Sequence, residues 1–242
     1  MNSKLKKDIK SAFDPPKARR KERFLNDFDY PKATQYDFIS SQIGYIRKRV
    51  WIVSGILVLS VLYYTFFVFN CRELNILWTV SSLLPFVALV SITEIARSTS
   101  YRMQELEMSC KHRFSEVVLA RLGILGSFNI IVFAIIILAL VGKTDYSLIQ
   151  FSLYILTPYL FTCILSLFTL QHFSIRETNY VCGGISCFVS ILNNILIYSY
   201  HIVYTDAYLH FWIILFSILL ITVIIQVNEF VKKTEELSWS LQ

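Results

Sequence analysis

The chain of 242 residues is 55% hydrophobic and 17% charged, with a mean hydropathy of +0.54. That apolar share exceeds what one soluble core of this length encloses, and the apolar runs are long and unbroken rather than the ~10-residue alternating segments of a β-barrel. The formal net charge of +6 is concentrated before residue 50, where it suits contact with anionic lipid and does not call for nucleic acid.

Residues 1–32 are charged, contain Pro15, Pro16 and Pro31, and lack a sustained apolar face. They read as a basic cytoplasmic tail, partly irregular. Because this polar stretch delays the first apolar run to about residue 50, it does not match a cleavable signal peptide, whose apolar core comes early. Over 33–49 the pattern changes. Tyr36, Ile39, Ile43, Ile46 and Val50 step by 3, 4, 3 and 4, which predicts an amphipathic connecting helix. Such a helix lies in the membrane plane and, with Trp51 behind it, turns into the first span.

A membrane crossing takes ~20 mostly apolar residues. Six runs qualify: 50–69, 76–93, 122–141, 147–170, 180–200 and 209–228, and none holds Lys, Arg, Asp or Glu. They define a transmembrane domain over 50–230, followed by a cytoplasmic tail over 231–242. Basic residues set the orientation. The segment before residue 50 has 13 Lys/Arg, loop 94–121 five, loop 171–179 one and the C-terminal tail two, against Arg72 and Lys143 on the opposite side. The positive-inside rule then places both termini in the cytoplasm.

Span 180–200 contains Gly183, Gly184, Asn193 and Asn194, and an Asn pair at membrane depth calls for protein partners. The outer segment 197–212, IYSYHIVYTDAYLHFW, is rich in Tyr and His as interfacial segments are, and its length allows a short helical pair. Asn129, Gln150, Asn193 and Asn194 are the polar candidates for a substrate path or dimer seam; helix-to-helix hydrogen bonding is the competing role. Five cysteines without a CxxC pair support neither a disulfide framework nor zinc. HExxH is absent, and GxxxxGK[ST] is represented only by Gly142-Lys143-Thr144 without the upstream glycine. No phosphate cradle is encoded, so no cofactor is expected in this chain and any ATP belongs to a partner chain.

Loop 94–121, EIARSTSYRMQELEMSCKHRFSEVVLAR, is the longest connection between spans. Met103, Leu106, Cys110, Phe114 and Val117 step by 3, 4, 4 and 3, predicting a helix with one apolar stripe. Ser98 and Ser100 are plausible caps, and Glu107 precedes Lys111 in the favourable i,i+4 order. Periodicity alone fits a protein-docking helix and a membrane-surface helix equally.

The order of parts resembles the membrane subunit of ATP-binding-cassette exporters of the type-2 permease class. In that family an in-plane connecting helix leads into six spans, with a coupling helix between spans two and three. The matching residues are Glu94 and Arg97, then Glu105, Leu106, Glu107 and Ser109, then Glu116, Val117, Val118, Leu119 and Arg121; Cys110 stands where the family often has Pro. The resemblance implies an all-α membrane protein, non-catalytic itself, with six transmembrane helices, an N-terminal in-plane amphipathic helix and a cytoplasmic coupling helix. It further implies a homodimer or pairing with a related permease, and a cytoplasmic ATP-binding-cassette ATPase subunit docked on Arg97, Tyr101, Met103, Glu105, Leu106 and Glu107. The expected function is ATP-driven export of an amphiphilic peptide or lipid-like substrate from a bacterial cytoplasmic membrane. The rival expectation is a membrane regulatory or sensor protein that recruits a cytoplasmic factor through the same loop.

Overall fold

A computed structural model describes the backbone of residues 35–68, 73–100, 114–142, 144, 146–172 and 175–240. Every regular element among these residues is helical. They are α1 (Gln35–Tyr45), α2 (Lys48–Tyr63, continued by a π-helical turn over Tyr64–Val68), α3 (Glu73–Ser100), α4 (Phe114–Val141), α5 (Leu148–His172), α6 (Ile175–Ser199) and α7 (Leu209–Ser240). Two 3-10 turns, His201–Tyr204 and Asp206–Tyr208, join α6 to α7. The chain divides into two compact units, residues 1–38 and 39–242. The first contributes only the opening turn of α1 to the described residues, and the bundle belongs wholly to the second.

Six helical stretches are long and apolar enough to cross a bilayer: Lys48–Phe67, Ile76–Ala96, Glu116–Val141, Leu148–His172, Glu177–Ser199 and Asp206–Lys233. They overlap the six runs expected from hydropathy, and the protein is a multi-pass helical membrane protein. Helix is the natural state here because hydrocarbon offers no water to backbone N–H and C=O groups, so each span must bond to itself. Hydroxyl side chains obey the same demand. Ser81 donates to the Leu77 carbonyl, Thr157 to Leu153 at 2.7 Å, Thr162 to Pro158 at 2.8 Å and Ser186 to Cys182 at 2.9 Å.

The most enclosed span is α3, which packs chiefly against α5 and α6 and next against α2 and α4. Ile76, Leu77, Val80, Leu84 and Val87 of α3 share the main core with Ile136 and Leu140 of α4 and Phe151 and Ile155 of α5. Pro85 sits inside α3 and Pro158 inside α5. Each removes one ladder N–H, a loss tolerated in membrane helices whose neighbours shield the break. Direct cross-helix bonds add specificity. Ser190 on α6 donates to the Ser82 carbonyl on α3 at 2.9 Å, and Gln171 on α5 to the Gln226 carbonyl on α7 at 3.1 Å. Span α7 is the most peripheral, leaning on α5 and α4 with almost all of its surface outward.

The described residues revise several local expectations. The connecting helix expected over 33–49 is shorter: α1 stops at Tyr45, and Arg47 adopts an extended conformation (φ −60°, ψ 133°) at the turn before α2 begins. Its expected apolar stripe divides accordingly. Ile46 and Val50 are buried, while Ile39 and Ile43 remain exposed. Helix α3 runs through Ser100, so Ser98 lies inside it and does not cap a new helix. The short helical pair of the outer segment is present and is of 3-10 type. Tyr204 and Trp212, within the segment 197–212 read as interfacial, are buried.

Candidate functional site

Of the residues expected to meet an ATPase, Tyr101, Met103, Glu105, Leu106 and Glu107 lie outside the described residues, as does the core of the expected coupling region 94–121, the helix around 101–109. Arg97 continues the backbone of α3. The two stalks that carry this loop, the end of α3 and the start of α4, are described, and both reach the same place. From α4, the Arg121 Nε donates to Gln42 Oε1 of α1 at 3.1 Å. From α3, Glu94 Oε1 accepts the backbone N–H of Arg47 at 3.4 Å.

Beneath these two ties lies an apolar cluster of Ile46, Val50, Ile95, Val118, Leu125 and Phe230, with Trp51 and Leu170 packed against it. It joins the α1–α2 junction to α3, α4 and α7. Polar and apolar contacts therefore bind the loop's two stalks to the break between α1 and α2. Hydropathy alone could not find this arrangement, since Gln42 sits within the apolar-stepping stretch and its partner is 79 positions away.

The four intramembrane polar candidates do not converge. Asn129 on α4 donates through Nδ2 to Ser91 Oγ on α3 and to the Tyr159 hydroxyl on α5, each at 2.9 Å. It thus ties three helices together. Gln150 donates to the Tyr154 hydroxyl at 3.0 Å within α5. Tyr159 lies nine positions beyond Gln150 on that helix, about 13 Å of axial rise, so the Asn129 node and the Gln150 pair occupy different depths. Asn193 belongs with the Gln150 end, its Oδ1 facing the Tyr204 hydroxyl at 3.5 Å, and Asn194 beside it is half-buried. Asn129 Oδ1 and Asn193 Nδ2 are both buried without a hydrogen-bond partner among the described residues.

At the Gln150 end, aromatic rings close the bundle. Tyr154, Tyr204 and Trp212 form a triangle with all three centroid separations at 5.1 Å, and Tyr146 sits edge-on to Tyr154 at 5.9 Å. Edge-to-face and tilted rings at this range attract through their quadrupoles. The Trp212 indole donates to the Val203 carbonyl at 2.9 Å, which satisfies its polar edge while the ring is buried. Burial pushes the Tyr204 phenol above its ordinary range, reinforced by the neighbouring Tyr154 and Tyr146 phenols. The signal in the sequence was the spacing of Tyr204 and Trp212 around a short turn, which composition alone assigns to the interface.

Among the described residues no three His, Cys, Asp or Glu side chains gather as a metal site. Set against known protein families, curated proteins and solved structures, the chain matches none.

Proposed function

We propose that this chain is the membrane-spanning permease subunit of an ATP-driven transporter, energised by a separate cytoplasmic ATPase. The observation that carries the reading is the double tie at the base of loop 94–121: Arg121 to Gln42, and Glu94 to the Arg47 N–H. A loop that only joined two spans would need a few polar residues. This one is long, and its stalks grip the junction through which α1 enters the first span. A displacement of the loop is thereby delivered to α2, α3 and α4 together, as a lever driven by a rigid-body motor requires.

In this reading Met103 and Leu106 seat in a groove on the ATPase, and Arg97, Tyr101, Glu105 and Glu107 fix the register around them. Both termini and the loop face the cytoplasm of a bacterium, following the 21-to-2 distribution of Lys and Arg. Two such chains, or this chain and a related one, form the full channel. An amphiphilic peptide or lipid-like cargo suits the short outer connections and the few polar interior groups. The test is co-purification and ATPase stimulation with the double variant Leu106→Asp/Glu105→Lys. Loss of both supports the lever; an unchanged complex with unchanged stimulation contradicts it.

A second reading, a membrane regulatory or sensor protein that recruits a cytoplasmic factor, draws support from a different observation. Asn129 and Gln150 spend their amide donors on bonds inside the bundle, as structural ties do. Substrate-dependent stimulation of a bound ATPase separates the two, since only a transporter subunit confers it.

A further inference from the structure

The junction between α1 and α2 presents three consecutive cations, Arg47, Lys48 and Arg49, all exposed. None of their side chains is paired with a carboxylate among the described residues. The Glu94 carboxylate accepts the Arg47 backbone N–H at this junction. On the adjoining surface of α1, Ile39 and Ile43 are each 47% exposed. The patch therefore joins unneutralised positive charge to bare aliphatic surface.

Its position is fixed. Ile46 and Val50, which bracket the three cations, are 4% and 7% exposed within the apolar cluster shared with α3, α4 and α7. The first span begins at Lys48, so the cations stand where a helix enters the bilayer, at the level of lipid headgroups. Cations at that depth attract anionic headgroups, and aliphatic side chains beside them reach the acyl boundary. A soluble acidic partner would match the charge but leave Ile39 and Ile43 without an apolar neighbour.

We infer that Arg47, Lys48 and Arg49, with Ile39 and Ile43, form a docking surface for anionic phospholipid in the leaflet where the first span starts. The occupant is a lipid with a net-negative phosphate headgroup, its phosphate against the cations and its upper acyl chain along the two isoleucines. This inference rests on the membrane spans and the junction geometry, and is independent of the ATPase reading.

The experiment uses the full chain in neutral detergent, equilibrated with equal phosphatidylglycerol and phosphatidylcholine, re-isolated, and assayed by mass spectrometry of retained lipid. The wild type is expected to retain phosphatidylglycerol in preference. One near-surface cation contributes about fivefold to anionic-lipid attraction, so Arg47→Gln/Lys48→Gln/Arg49→Gln is expected to lower the preference by at least about tenfold. Ten Lys/Arg before residue 35 remain in that variant, which preserves its orientation. The variant Lys232→Gln/Lys233→Gln, also at exposed positions, is expected to keep the preference. Ile39→Ser/Ile43→Ser is expected to reduce retention of both lipids while leaving their ratio unchanged, a readout that loss of charge does not mimic. A wild type without preference, or a triple variant that keeps it while melting at the wild-type temperature, overturns the inference. So does equal loss in the Lys232/Lys233 variant.

Discussion

Replacing Tyr204 is the sharpest probe of how the 201–208 turn closes the bundle. The side chain is 2% exposed, and its ring meets Tyr154 and Trp212, both at 5.1 Å. Truncating a buried aromatic to alanine costs about 3–5 kcal/mol in well-packed cores, and two ring pairs at about 0.5–1.5 kcal/mol each lie within that figure. Tyr204→Ala is therefore expected to destabilise by about 3 kcal/mol, roughly a 150-fold shift in the folding equilibrium. Tyr204→Phe keeps the ring and loses only a hydroxyl that reaches Asn193 Oδ1 at 3.5 Å, the outer limit of a hydrogen bond. Its cost is expected to stay below about 1 kcal/mol.

The assay is unfolding of the full chain in mixed micelles with increasing dodecyl sulfate, followed by tryptophan fluorescence, with hydrogen exchange over 201–208 as a local readout. Tyr204→Ala lowers the midpoint and accelerates exchange in the turn; Tyr204→Phe does neither to a comparable degree. If the alanine variant costs less than about 1 kcal/mol, or phenylalanine costs as much as alanine, the aromatic triangle does not hold the turn.

Three further outcomes are expected. Asn129→Leu removes both cross-helix bonds, and membrane hydrogen bonds average about 0.6 kcal/mol each. The expected loss is therefore about 1 kcal/mol in the same unfolding assay, and no loss refutes the three-helix tie. The double-mutant cycle Arg121→Ala with Gln42→Ala is expected to show a coupling of about 0.5–1.5 kcal/mol, with additivity excluding their bond. The Tyr204 phenol is raised by burial, so its neutral form is favoured in the folded state. Stability is expected to be intact below the unfolded tyrosine value near pH 10 and to fall as pH rises above it. Tyr204→Phe should flatten that part of the profile, and an identical alkaline loss in the variant assigns it elsewhere.

Six helices were legible because a membrane crossing is encoded locally, in apolar run length and the exclusion of charge. Their ends were less so. Hydropathy marks the hydrocarbon slab, whereas α4 begins at Phe114, α3 continues through Glu94 to Ser100, and α7 passes Glu229. Helical hydrogen bonding persists after charged side chains become acceptable. A turn into the first span was expected, but its place at Ile46–Arg47 was hidden because apolar stepping continued across it. The tie at that break is long-range, from Glu94 to the Arg47 N–H, 47 positions apart.

For the site the division is similar. The amides stood out as polar groups in apolar runs, but their partners are tertiary facts. Nothing near Asn129 in sequence names Ser91 or Tyr159. The segment that holds Tyr204 and Trp212 was read as interfacial for its Tyr and His content. The 3-10 turns instead fold Tyr204 inward, and the Val203 carbonyl satisfies the Trp212 indole. Arg121, visible as the last basic residue of the loop, gained a structural role through its bond to Gln42.

The account turns on whether the loop between α3 and α4 is gripped by a nucleotide-driven motor. The direct measurement is a cross-link: a photoreactive residue at position 106 of the full chain, activated in native membranes, with the adduct identified by mass spectrometry. The account predicts a single major adduct to a P-loop ATPase, lost when the membranes are stripped of peripheral proteins. Adducts to lipid alone, with no ATPase in the purified assembly, contradict it.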